Sequence, residues 1–241
     1  MMQPMTAAAP ATPHVRASWI VEFYRSAIGK KAVMAVTGVF LFGWIFLHMA
    51  GNLKVYTGAE HYNTYAQFLI TMGAPLLPNK GALILVRTLL LIAVWFHIQA
   101  ATQLTIMNKK ARPIGYGERD YVAGSYAART MRWGGVIILL FVIYHIAHLT
   151  FGKFHPDFKE GNVYHNFVTG FQVWWASAIY IIANLALGMH LYHGLWSMFN
   201  SLGLNHARFN PWKRAFATVF AVIVTLANIS FPIAVLTGFL R

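Results

Sequence analysis

Residues 81–107 read GALILVRTLLLIAVWFHIQAATQLTIM, with one full charge, Arg87, and one histidine, His97. About 20 consecutive apolar residues suffice for a helix to cross the hydrocarbon core of a bilayer, so this stretch spans a membrane with length to spare. Working outward, four more runs of the same character occupy 32–51, 133–152, 171–203 and 215–240. Between them lie polar segments punctuated by Pro75, Pro78, Pro113, Gly115, Gly117, Pro156 and Pro211, as expected of connections in water or at the interface. The expected fold is all-α: a polytopic bundle of five transmembrane helices, without the internal repeat of a transporter.

Composition agrees with that reading. Of the 241 residues 58% are hydrophobic and 10% charged, whereas a soluble domain carries roughly 25% charged residues. No water-soluble catalytic domain fits beside five spans. Cysteine is absent, which excludes disulfides, thiolate zinc sites and iron–sulfur ligation on this chain. Any metal here takes histidine or oxygen ligands. The net charge of +13 does not signal nucleic acid, because the Lys and Arg sit in short segments between apolar runs.

Their distribution sets an orientation instead. Arg16, Arg25, Lys30 and Lys31 precede the first run; Lys109, Lys110, Arg112, Arg119, Arg129 and Arg132 follow the second; Arg208, Lys213 and Arg214 follow the fourth. By the positive-inside bias these face the cytoplasm. The other connections and the end of the chain hold only Lys54, Lys80, Lys153, Lys159 and Arg241, and so face outward. Residues 1–13 are Ala/Pro-rich without an apolar core. They read as part of a disordered cytoplasmic tail over 1–25, not as a signal peptide, ahead of a single membrane domain over 26–241.

Helices one to four each carry histidine within an apolar run: His48, His97, His145 with His148, and His190 with His193. An ionisable side chain at that depth is costly and marks function. One such histidine alone is as readily a neutral imidazole bonded to a neighbouring helix, but four helices sharing the feature point to a cofactor. His48 lies six residues before Lys54 and His145 eight before Lys153, both ~9–12 Å from the outer end. His97 precedes Lys109 by twelve residues and His190 precedes Gly203 by thirteen, ~18–20 Å from the inner end. Two antiparallel helix pairs thus each offer one imidazole from either side at matched depth, as axial ligation of a haem between helices requires. A single zinc or copper ion held by all four is opposed by the ~15 Å between the layers, since its ligands must converge at ~2 Å. Two stacked b haems are the expected cofactors, close enough to pass electrons across the membrane.

Arg87, six residues past Gly81, is placed to neutralise a propionate of the outer haem, with snorkelling to the outer headgroups as the competing explanation. Gly43, Gly51, Gly134, Gly135, Gly188 and Gly194 adjoin these histidines and serve either a flat macrocycle or ordinary helix packing.

HMAGN at the end of helix one, G-A-E-x-x-N at Gly58–Asn63 and H-x-x-x-G-L-W-S at His190–Ser197 resemble the di-haem cytochrome b anchor of succinate dehydrogenases and fumarate reductases. The resemblance runs from about Ser26 onward. It implies His48 and His145 as ligands of the outer haem, and His97 and His190 as ligands of the inner. His148 and His193 are extras, partners of a propionate or quinone or simply packed. It further implies a flavoprotein and an iron–sulfur subunit as partners, with no succinate site on this chain. The substrate implied is membrane quinone, menaquinone in anchors of this type, and the location is the bacterial cytoplasmic (inner) membrane. Quinone chemistry needs proton donors and acceptors near the surfaces, for which Glu60 and His61 on the outer side are candidates and Ser26, Lys30 and Lys31 lie at the inner end; the sequence assigns no quinone ligand. Two other classes compete. The cytochrome b of a formate dehydrogenase or hydrogenase is a di-haem bundle but lacks the Gly-Leu-Trp-Ser signature; a histidine-relay proton channel or transporter needs acidic partners within the spans, where none is predicted.

Overall fold

The structure, a computed structural model, describes residues 18–111, 126–204 and 206–241. The tail over 1–13, Arg16 and the loop residues Arg112, Pro113, Gly115, Gly117, Glu118, Arg119 and Asp120 lie outside the described residues. The chain is a multi-pass, all-helical membrane protein, and five of its helices are long and apolar enough to span a bilayer.

The helices are α1 (Trp19–Arg25), α2 (Ala27–Asn52), α3 (Ala59–Thr71), α4 (Gly81–Lys110), α5 (Tyr126–His145), α6 (Val163–Gln172), α7 (Trp174–Ser201) and α8 (Asn210–Leu236). Residues Trp19–Arg25 are thus helical where a tail through residue 25 is expected from the sequence. Ser26 separates α1 from α2: its extended backbone ends the first, and its hydroxyl donates to the Phe23 carbonyl and accepts the Gly29 N–H. That satisfies a donor the new helix would otherwise leave orphaned.

Two connections expected as loops are helical. After α2 the chain tightens into a 3-10 turn, Leu53–Thr57, and reverses at Gly58, whose φ of 98° favours glycine. The helix α3 follows. On the same end α6 lies over the bundle, and the expected fourth span, 171–203, is broken at Val173, which has extended backbone. Val55, Tyr62, Phe167, Phe171, Tyr180 and Phe231 form one buried cluster that binds this cap to α7 and α8. Asparagines staple its surface: Asn63 donates to the Asn162 side chain and accepts the Tyr164 N–H, while Tyr62 donates to Asn52. Asn52 of HMAGN and Asn63 of G-A-E-x-x-N are therefore cap-forming.

Within the spans α7 is the spine, packed on α2, α5, α6 and α8. Its contact with α8 is closed by small residues, Gly188 on α7 and the buried Ala217 and Ala221 on α8, which lets backbones approach without hydrophobic drive from water. At Gly188 an added Cβ would collide with Thr225 Oγ1. Pro211 starts α8 and supplies a pre-set helical φ where no N–H bond is lost. By contrast α2, α4 and α5 expose most of their apolar surface, for example Leu47, Leu91, Trp95 and Leu140.

Candidate functional site

The bundle has a cap end, with α3 and α6, and a basic end, where α4 finishes in Lys109 and Lys110. His145 is the last residue of α5, followed by a single π turn, Ile146–Thr150, and His48 is four residues before the end of α2. The two are near the cap. Their rings face each other edge to face with centres 5.8 Å apart. Deeper in the bundle, His97 is sixteen positions into α4 (81 to 97) and His190 sixteen into α7 (174 to 190), ~24 Å from the cap end of each helix. Their ring centres are 6.5 Å apart. The structure thus brings together His48 with His145 and His97 with His190, at different depths.

The helices that carry each pair are not among those that pack closely on one another. Within the membrane α2 packs on α4, α7 and α8, and α5 packs on α7, so each imidazole pair spans a gap. Two imidazoles bound to one metal from opposite sides, at about 2.0 Å per bond, have ring centres roughly 6.4 Å apart. Both observed separations are of that size, and no hydrogen bond joins the rings within either pair. None of the four is sealed: His97, His145 and His190 are half-buried and His48 is exposed. The fully buried histidine is His148.

Hydrogen bonds fix which nitrogen is available. The Thr37 hydroxyl gives its proton to the Val33 carbonyl of its own helix at 2.7 Å, so toward His97 Nδ1, 3.1 Å away, it acts as acceptor. That arrangement matches His97 with its proton on Nδ1 and Nε2 bare, the tautomer of a metal ligand held by an outer partner. His145 Nδ1 lies 3.1 Å from the Tyr180 hydroxyl. His190 Nδ1 is buried without a partner, and His48 stacks on Trp44 with ring centres 5.7 Å apart.

Space adjoins these rings. A cavity of about 210 Å³ is lined by Met131, Gly134, Ile137, Ala186, Met189 and His190, and an almost wholly apolar groove of about 300 Å³ runs past Thr37, Phe40, Ala93 and Phe96 between α2 and α4. Glycines divide into two kinds. Gly51 and Gly188 are filled, by Tyr65 and Thr225, whereas a Cβ on Gly43 or Gly194 would meet nothing within 4 Å. The bare Nε2 of His97, the spacing of both pairs and the open backbone at Gly43 and Gly194 fit a flat, iron-containing macrocycle held between imidazoles. Among the described residues no three His, Cys, Asp or Glu side chains converge on one ion.

The remaining candidates are dispersed. Arg87 is exposed on α4 and makes no hydrogen bond or ion pair. Glu60 and His61 stand exposed on α3. Ser26 is occupied as a helix cap, and buried Lys30 donates to the Tyr24 carbonyl at 2.9 Å beneath the Tyr24 ring. His193 lies against Trp196, itself covered by Arg214. Thr37 and Tyr180, the partners of the paired histidines, are not evident from the sequence; their signal is a hydroxyl inside an apolar run, which requires a partner on another helix.

On the cap surface His165 and Lys159 flank Asp157 at 2.9 and 3.3 Å. The hydrogen bond from Lys159, followed by that from His165, holds the Asp157 carboxyl below the usual carboxylate range. Comparison of the chain with protein-family models, curated proteins and solved structures finds no match.

Proposed function

We propose that this chain is the di-haem cytochrome b anchor of a succinate:quinone oxidoreductase, carrying electrons between an iron–sulfur partner subunit and membrane quinone. The observation that carries the reading is the arrangement of His48 with His145 and of His97 with His190. These are two imidazole pairs at two depths, each across a gap between helices that are not among those packing closely together. Bound there, haem iron supplies one-electron chemistry at a potential set by its axial ligands and surroundings.

The chain's own residues do the rest. His48 and His145 hold the group near the cap, and His97 and His190 hold the one nearer the basic end. Thr37 keeps His97 in the tautomer whose Nε2 is free. The cap of α3 and α6 closes the outer end of the bundle over the first pair. The basic end faces the cytoplasm and offers Lys109, Lys110, Arg208 and Arg214 to the iron–sulfur subunit, opposite charge steering the encounter. The flavoprotein behind that subunit carries the succinate site, and the quinone that the resemblance favours is menaquinone, in the cytoplasmic membrane of a bacterium. Arg87 serves a propionate of the haem nearer the cap.

A proton channel or transporter is disfavoured because the acidic residues among those described, Glu22, Glu60, Asp157 and Glu160, all lie outside the five spans. The decisive experiment is purification from native membranes, with a pyridine haemochrome assay and identification of the soluble subunits that accompany the chain. Two low-spin b haems per chain with a succinate-oxidising flavoprotein are expected. A formate- or hydrogen-oxidising partner would assign the chain to that other class of di-haem cytochrome, and a colourless protein would overturn the reading.

A further inference from the structure

We infer that Tyr180 is the positioning residue of the centre nearer the cap: its hydroxyl fixes the tautomer and ring plane of His145, and His148 holds that hydroxyl in place. The inference rests on the haem reading of the His48 and His145 pair. Tyr180 is buried on α7, its ring clamped by Phe171 and Phe141 with centres 4.7 and 5.0 Å away, each nearly perpendicular. Such a clamp leaves the hydroxyl little freedom. Two imidazole nitrogens converge on it, His145 Nδ1 at 3.1 Å and His148 Nδ1 at 3.2 Å.

A phenol has one proton to give and lone pairs to receive. One proton cannot serve both rings, so at least one imidazole donates to the oxygen. If His145 binds metal through Nε2, its proton is on Nδ1 and goes to Tyr180; the phenolic proton then goes to His148 Nδ1. The order is His145 to Tyr180 to His148, with every atom at the junction satisfied.

His148 gives the independent sign that this chain of bonds is a built feature. It is fully buried, stacked on Tyr144 with ring centres 5.3 Å apart and lying beside His155, yet its Nε2 has no partner. An unsatisfied buried polar atom is costly, so an apolar residue of similar size would pack more favourably. What repays the histidine is the bond made by Nδ1. The π turn that begins at Ile146 interrupts the helix at this point, a winding that is rare and concentrated at functional sites.

An outer hydrogen bond of this kind raises the basicity of a ligating imidazole and typically changes metal affinity or activity ten- to a hundred-fold. Stronger donation favours ferric iron, so losing the bond raises the potential. The test is redox titration of the purified complex with its soluble subunits, each haem assigned by its depletion in His145→Ala or His190→Ala. Tyr180→Phe should retain two haems, raise the potential of the cap-side haem by a tenfold change in the one-electron equilibrium, about 59 mV, and alter the low-spin resonance of that haem alone. His148→Leu, which keeps Tyr180 and its packing, should move the same potential in the same direction by less, and provides the measurement should the phenylalanine variant fail to assemble. A wild-type protein with two haems in which neither substitution moves the cap-side potential, or in which both potentials move together, overturns the role of Tyr180 and leaves the haem reading intact. A wild-type protein without haem overturns both.

Discussion

The two imidazole pairs are built alike but held differently. His145 reaches a tyrosine locked among aromatic rings beneath a folded cap, and the cap ties α7, α8, α3 and α6 together around it. His97 reaches a threonine one helix away, on α2, and its partner His190 has a buried nitrogen with no bond at all. In the cap-side pair His145 is therefore held by a network, and in the basic-end pair His97 is held by one hydroxyl. A buried network restricts its members, so His145 is held more firmly than His97 even though His148 Nε2 is left without a partner.

The largest effect that could break this comparison is loss of a centre. If the pairs hold haem as proposed, replacing His97 or His190 by Ala would leave one imidazole where two would hold the group, and a cavity the bundle fills poorly; haem content should fall from two per chain to one, with the cap-side spectrum intact. His48→Ala or His145→Ala should deplete the other centre, whereas His148→Ala should leave both low-spin. Depletion of one centre by both His48→Ala and His97→Ala would undo the pairing.

Next in size is the spine. Gly188→Ala drives a Cβ into Thr225 Oγ1 two residues from His190, and overpacking of this kind costs about 1–3 kcal/mol. Thermal melts followed at the haem bands should show the basic-end centre released first, since the cap-side pair has its own support. Simultaneous release would mean that the cap gives no independent hold.

Thr37→Val keeps shape and removes the acceptor of His97. The expected result is a basic-end potential raised by a comparable one-electron factor, roughly tenfold, read by redox titration with the cap-side value unmoved. Asn63→Ala tests the reverse direction. It deletes two bonds between α3 and the start of α6, each worth about 1 kcal/mol, and should lower the melting temperature while disturbing only the cap-side spectrum.

The smallest effect is that of pH at the cap surface. The Asp157 carboxyl titrates below its ordinary value of about 3.9, so its contribution is complete above that pH and is lost as pH falls through the lowered value. Because the group is exposed, melts of wild type and Asp157→Asn should coincide at pH 7 to within a degree or so and converge fully in acid. A large difference at neutral pH would mean that the ion pairs of the cap carry more than screening allows.

Much of this architecture was legible from hydropathy and helical rise. The five spans follow from apolar length, and the neighbouring of His48 with His145 and of His97 with His190 follows from 1.5 Å per residue counted from charged ends. What stayed hidden has physical reasons. α3 and α6 are short and half polar, so they carry no spanning signal. Val173 interrupts the expected run near its start with no Gly or Pro beside it, where the chain passes from the cap into α7. Thr37 and Tyr180 reach across to other helices, and such contacts depend on how each helix is rotated about its axis, which spacing alone does not fix. The glycines near the histidines were ambiguous for the same reason: Gly51 and Gly188 proved to be filled, while Gly43 and Gly194 border open space.

The spine also imposes a timetable. α7 and α8 are the last spans to leave the ribosome, and α7 carries His190 and Tyr180 as well as the surface on which α2 and α5 settle. The earlier spans enter the bilayer with most of their surface unpaired and must wait there, because chains emerge at only about 5–20 residues per second. Neither imidazole pair has its full surroundings until the fourth span is in place. A chain truncated before α7 would keep α2 on α4 but leave α5 without the helix it packs on.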